Sequence, residues 1–150
     1  MSNKEIKTIG IACDHAGYEL KETIIAHLKN KGYEVVNFGT DSTESADYPD
    51  FAHPLGEAVS GGKVDRGISI CGSGNGISMV LNKYDAVRAA LCWDDEIVAL
   101  ARQHNDANVL SLPARFIPQD KALKMVDIFL DTDFEGGRHQ RRVDKIAPKR

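Results

Sequence analysis

The residues with most chemistry to offer are Cys71-Gly72-Ser73-Gly74-Asn75-Gly76. Glycines at alternate positions let backbone N–H groups converge on a small anion, and a helix beginning just after them adds its positive end. The same surroundings favour the thiolate of Cys71, which makes it a usable base or nucleophile. Spacing excludes three familiar sites. A phosphate-binding Walker loop needs Gly-Lys-Ser/Thr, and the chain has no such tripeptide. The dinucleotide fingerprint is GxGxxG after the first strand, where this chain carries Asp14-His15-Ala16-Gly17. A cysteine phosphatase needs Arg six positions beyond its cysteine, and that residue is Ile77. A glycine-rich turn around a buried, inert cysteine accounts for the same letters without chemistry.

Other candidates are weaker one by one. Asp14-His15 offers an acid and a base suited to shuttling protons; Asp14 also suits a helix cap. His104-Asn105-Asp106 closes a helix, where a histidine can simply offset the negative end. Tyr48-Pro49 can line a pocket or pack on the surface. Arg138 and Arg142 are four apart, so they share a helix face and can hold one phosphate between them; solvated helix charges are the ordinary explanation. No His, Cys or carboxylate cluster shows ligand spacing, so neither a metal nor a cofactor is expected.

Short β-branched runs alternating with helical patterns must position these groups. Strands are predicted at 7–12, 33–38, 66–70, 87–91 and 108–112. Helices are predicted at 18–31, 51–60, 77–82, 94–104, 118–130 and 135–146, with 39–49 a polar loop. In the first helix Leu20, Ile24, Ile25 and Leu28 form one apolar stripe. Strands separated by helices imply right-handed crossovers and a parallel sheet covered on both faces. Such sheets bind ligands beyond the carboxyl ends of their strands, which directs attention to Asp14-His15, Tyr48, Cys71 to Gly76 and Arg115.

The bulk numbers set the outer bounds. A chain of 150 residues, 42% hydrophobic and 27% charged, fits one domain. A net charge of −3 gives no reason to expect nucleic-acid binding, although 138–150 holds six Lys or Arg against one acid, Asp144. No apolar run approaches the roughly 20 residues that span a bilayer. Three cysteines without CxxC spacing point away from disulfides and zinc and towards a reduced cytoplasm.

Taken together and in order, six motifs carry a resemblance. They are Cys13-Asp14-His15-Ala16-Gly17, Asp47-Tyr48-Pro49-Asp50, the Cys71–Gly76 run, Cys92-Trp93-Asp94, His104-Asn105-Asp106-Ala107-Asn108 and Gly137-Arg138-His139-Gln140-Arg141-Arg142. From Ile9 to Ile146 the chain resembles the type B ribose-5-phosphate isomerases, of the same superfamily as the galactose-6-phosphate isomerase subunits. The resemblance implies a Rossmann-like α/β/α sandwich with a five-stranded parallel sheet. It implies a homodimer at least, with tetramers open, and an active site shared between subunits. Cys71 would move a proton between C1 and C2, with Ser73 and the amides of Gly72, Gly74, Asn75 and Gly76 stabilising the enediolate. His104 and Asp14 would assist ring opening, and Asn105 and Tyr48 would position the sugar. His15, Arg115, Arg138 and Arg142 would bind the phosphate. A six-carbon aldose phosphate, such as allose or galactose 6-phosphate, is the alternative substrate for the same machinery.

Overall fold

The computed structural model describes residues 5–149. Five parallel strands form one sheet: β1 (Thr8–Cys13), β2 (Glu34–Asn37), β3 (Arg66–Cys71), β4 (Ala89–Leu91) and β5 (Val109–Pro113), in the order β2-β1-β3-β5-β4. Among the described residues six α-helices surround it: α1 (Tyr18–Asn30), α2 (Tyr48–Ser60), α3 (Asn75–Leu81), α4 (Asp95–Gln103), α5 (Gln119–Asp131) and α6 (Arg138–Asp144).

Strand alternation divides the core in two. Ile9, Ile11, Ile68, Ile70, Leu110 and Leu112 pack with Ile24 and Leu28 of α1, Val98 of α4 and Phe129 of α5. On the opposite face Ala12, Cys71 and Val109 meet Ala52, Leu55 and Val59 of α2 with Ile77 and Leu81 of α3. The result is the expected three-layer α/β/α sandwich. Gly10 and Gly67 admit α2 closely: a Cβ on Gly10 would stand 2.7 Å from Leu55 Cδ1.

Several boundaries differ from the sequence expectation by one to three residues, and three of them have a visible cause. α2 begins three residues early, because Pro49 sits in the first turn, where its missing N–H costs nothing. β4 begins late: Ala86 has φ 65°, and the side chains of Asn108 and Asn82 take the Arg88 and Ala89 amides. The last helix starts only at Arg138, after Gly136 and Gly137 turn through φ 68° and 54°. Residues 14–17, read as a turn, make one turn of 3-10 helix over His15–Gly17.

Candidate active site

Strand order reverses direction at β1 and β3, and the crevice between their carboxyl ends is where open α/β sheets bind ligands. Here β1, β3 and β5 finish side by side. The Asp14 amide donates to Ile70 O (3.2 Å), the Ala114 amide to Cys71 O (2.9 Å) and the Arg115 amide to Gly72 O (3.1 Å). Asp14, Cys71 and Arg115 therefore leave neighbouring strands at one level.

Local bonds fix the groups around them. The Asp14 carboxylate accepts the Ala16 amide (3.0 Å), so it caps the 3-10 turn and still stands at the strand end. His15 Nδ1 lies 3.1 Å from the Ala46 amide and 3.3 Å from the Ala46 carbonyl, so the ring is held in place whether Nδ1 accepts from the one or donates to the other. Tyr48 lies across the glycine loop: a Cβ on Gly76 would be 2.5 Å from Tyr48 Cζ and 2.8 Å from its hydroxyl. The Arg115 side chain covers Gly72, where a Cβ would stand 3.1 Å from Nη1. Gly74 adopts φ 78° to start α3, and Ser73 Oγ accepts the Asn75 amide (3.2 Å) while keeping its own proton to donate. The glycines thus give passage to Tyr48 and Arg115 as well as exposing amides. That use was not visible in their spacing.

All three thiols are free, yet they differ. Burial pushes Cys13 up to about 12, against an opposing pull from the charge of Lys21, and burial pushes Cys92 up to about 12 as well. Cys71 alone lies where a strand opens into the glycine loop.

His104, Asn105, Arg138 and Arg142 are elsewhere. α4 runs back along the sheet, so its end lies by the amino ends of the strands. There the Asn108 side chain holds the Arg88 amide, Asp106 pairs with Arg88 (3.2 Å) and Arg102 (2.9 Å), and Gly67 N donates to Asn108 O. α6 is tied to this region by the Glu135 amide on Gln103 O (3.0 Å) and by His139, stacked on His104 at 4.2 Å. Arg138 and Arg142 are exposed on α6, and Asn105 lines a cavity with Asn82, Ala90 and Ile146. Five or six residues of strand, about 16–20 Å, separate this cluster from Cys71 within one chain. The candidate residues therefore form two groups at opposite ends of the sheet.

Two features of these regions were not singled out from sequence. Lys21 is fully buried and bonds Glu22, Asn37 and Asp41 at 3.0–3.1 Å. Burial by itself would lower its pKa, but the hydrogen bonds to Glu22 and Asp41 outweigh that and raise it. Lys21 and Asn37 pin the 37–41 turn, which extends the pairing of β1 through Cys13 N to Gly39 O and Thr40 N to Cys13 O. A lysine on a helical stripe gives no warning of this. The second feature is Glu135 and His139 beside His104. Burial, then the charges of His104 and Arg138, hold His139 below the ordinary histidine range. Only the return of α6 onto α4 brings these three together.

Known proteins place the geometry in context. Residues 9–146 match the ribose/galactose isomerase family. The chain is 47% identical over 142 residues to ribose-5-phosphate isomerase B of Escherichia coli, covering 95% of each. It is similar in structure to ribose-5-phosphate isomerase B of Clostridium thermocellum, with TM-score 0.91, 51% identity and coverage of 93% of this chain and 94% of that one. It is also similar to the Mycoplasma genitalium enzyme of that name solved with bound ribulose 5-phosphate, with TM-score 0.89, 48% identity and 93% coverage of both. With the family matched across nearly its whole length and the strand-end loop, cysteine and arginine in place, this chain belongs to the ribose/galactose isomerase family.

Proposed function

We propose that the chain interconverts D-ribose 5-phosphate and D-ribulose 5-phosphate by proton transfer through an enediolate. The observation that carries this is the junction of Cys71, its glycine loop, Asp14, Tyr48 and Arg115 at the carboxyl ends of β1, β3 and β5, in a chain of this family. The bound ribulose 5-phosphate of the Mycoplasma genitalium relative favours a pentose over a hexose phosphate.

The Cys71 thiolate takes the proton from C2 of the opened aldose and returns it to C1, while the hydroxyl proton passes from O2 to O1. Ser73 and the amides of Gly72, Gly74, Asn75 and Gly76 face the oxygen that becomes negative, each such donor worth about 3 kcal/mol. Asp14 and His104 move protons between the ring oxygen and O1 as the furanose opens, and Tyr48 and Asn105 orient the sugar. His15, Arg115, Arg138 and Arg142 hold the phosphate, whose binding offsets the cost of ordering the open chain. Because His104, Asn105, Arg138 and Arg142 stand a sheet's height from Cys71, a complete site takes them from a second copy, and the working unit is at least a homodimer. Nothing in this chemistry calls for nucleic acid or a membrane, and no helix among the described residues is long and apolar enough to cross one. Free thiols, one of them the base, fit the cytoplasm.

The test is a coupled assay over a panel of aldose 5- and 6-phosphates, with wild type beside Cys71→Ala. Wild type should prefer ribose 5-phosphate, and the variant should lose roughly 10²–10⁴-fold in kcat while unfolding at nearly the same urea concentration. Unchanged turnover in the variant would overturn the assignment of the base. A large preference for a hexose 6-phosphate would overturn the substrate.

A further inference from the structure

Of the side chains of α6 only His139 is buried, at the place where a docked helix ordinarily presents an apolar residue. Its ring lies against that of His104, with centroids 4.2 Å apart and planes 13° from parallel. Stacking covers a face of the His104 imidazole and leaves the edge, where both nitrogens sit. Among the described residues neither of those nitrogens has a hydrogen-bond partner. A histidine that moves protons is commonly oriented by a bond to one ring nitrogen, which is then occupied. A flat neighbour limits rotation of the ring and leaves both nitrogens to donate or accept.

His139 is itself held. Its amide donates to Gly136 O (3.0 Å), and the Glu135 amide on Gln103 O (3.0 Å) ties the segment beside the turn that carries His104. Burial, then the charges of His104 and Arg138, lower the His139 pKa; Glu135 opposes them and Arg142 adds to them. An uncharged neighbour does not repel a proton carried by His104. The ordinary account is packing alone, with the imidazole a filler between α4 and α6. A leucine would fill that space as well, but it has no flat face.

We propose that His139 is a positioning residue, whose ring fixes the plane of His104 for opening of the furanose. The proposal rests on the ring-opening role proposed for His104. In that step the C1–O4 bond breaks and its electron pair goes to O4, which takes a proton from His104. Asp14 takes the O1 proton as the C1–O1 double bond forms. Ribulose 5-phosphate has no such ring, because its O5 is esterified to phosphate. Starting from the ketose, the open aldose is released and closes by itself in water. Ring opening is therefore needed in one direction only.

The full chain, wild type beside His139→Leu, His139→Phe and His104→Gln, is assayed from both sugars. With ribose 5-phosphate, His139→Leu should lose at least about tenfold in kcat, since a small misplacement of a reacting group costs that much. With ribulose 5-phosphate it should stay within about twofold of wild type, as should His104→Gln. His139→Phe, which restores a flat ring, should keep ribose 5-phosphate turnover within about threefold. Urea midpoints confirm that each variant is native in the assay; should His139→Leu not be, His139→Met takes its place. Equal losses from both sugars, no loss from either, or His139→Phe as slow as His139→Leu overturns the positioning. His104→Gln with no difference between the sugars overturns the ring-opening role, and this proposal with it. Wild type inactive on both sugars would overturn the isomerase assignment and all that rests on it.

Discussion

A thiol's chemistry is decided by what surrounds the sulfur, and three cysteines of one chain show the range. Cys13 and Cys92 are fully enclosed, and burial moves both up to about 12, so neither yields a thiolate near neutrality. Cys71 is 5% exposed, at the end of β3 where the chain enters the glycine loop. Iodoacetamide at about pH 8 should therefore alkylate one thiol per native chain, with activity lost in step and substrate slowing both. Full activity after stoichiometric labelling of Cys71 would contradict its role. Cys13 and Cys92 carry their own pH signature. With folded pKa values above the ordinary 9.0, they favour the native state fully below pH 9.0 and progressively less as pH rises towards 12. Urea midpoints should fall across that alkaline range in wild type, and less steeply in Cys92→Ala.

Elements hold the site through a few polar clamps that pattern alone does not disclose. The turn carrying His104 and Asn105 closes on Asp106, at φ 49°, whose carboxylate takes Arg102, 1% exposed, on one oxygen and Arg88 on the other. Arg102 also donates to Thr132 O and Ala107 O, fastening the end of α4 to the segment that leads into α6. Removing the acid leaves a buried guanidinium short of its counter-charge. Asp106→Ala should therefore lose about 3 kcal/mol in urea unfolding. The five strands and six helices were legible because apolar periodicity records which face is buried. The ends were less so: Pro49 fits inside a first turn as readily as before one, and two glycines at 136–137 unwind a helix that composition alone would extend. Groups that follow strands, Asp14, Cys71 and Arg115, could be found by counting, since a parallel sheet brings strand ends together. His104 with Glu135 and His139 could not, because their meeting depends on how α6 packs after thirty residues of intervening chain.

At the scale of the molecule, the main fact is the separation of the candidate site into two groups at opposite ends of one sheet. The carboxyl end holds Cys71 and its glycine loop, the proposed base and oxyanion donors, with Tyr48 and Arg115, bordered by exposed Met79, Trp93 and Phe116. The amino end holds His104, Asn105 and the α6 arginines. On the proposed roles, a chain acting alone would have a base without its ring-opening histidine; two copies related by a twofold axis would complete two sites at once, each drawing one group from either partner. Apolar side chains left in water beside the carboxyl-end group are what such an interface would cover. Mixing two damaged proteins makes the idea measurable. Cys71→Ala and His104→Gln should each be nearly inactive alone. When the two are mixed under conditions that let subunits exchange, half the dimers become hybrids, and each hybrid carries one site with both defects and one with neither. Activity should rise from near zero to about a quarter of wild type. Hybrid formation is checked independently by native mass spectrometry, so recovery absent from proven hybrids would mean that Cys71 and His104 act within the same chain. A monomeric mass with full wild-type activity would dispose of the shared site altogether.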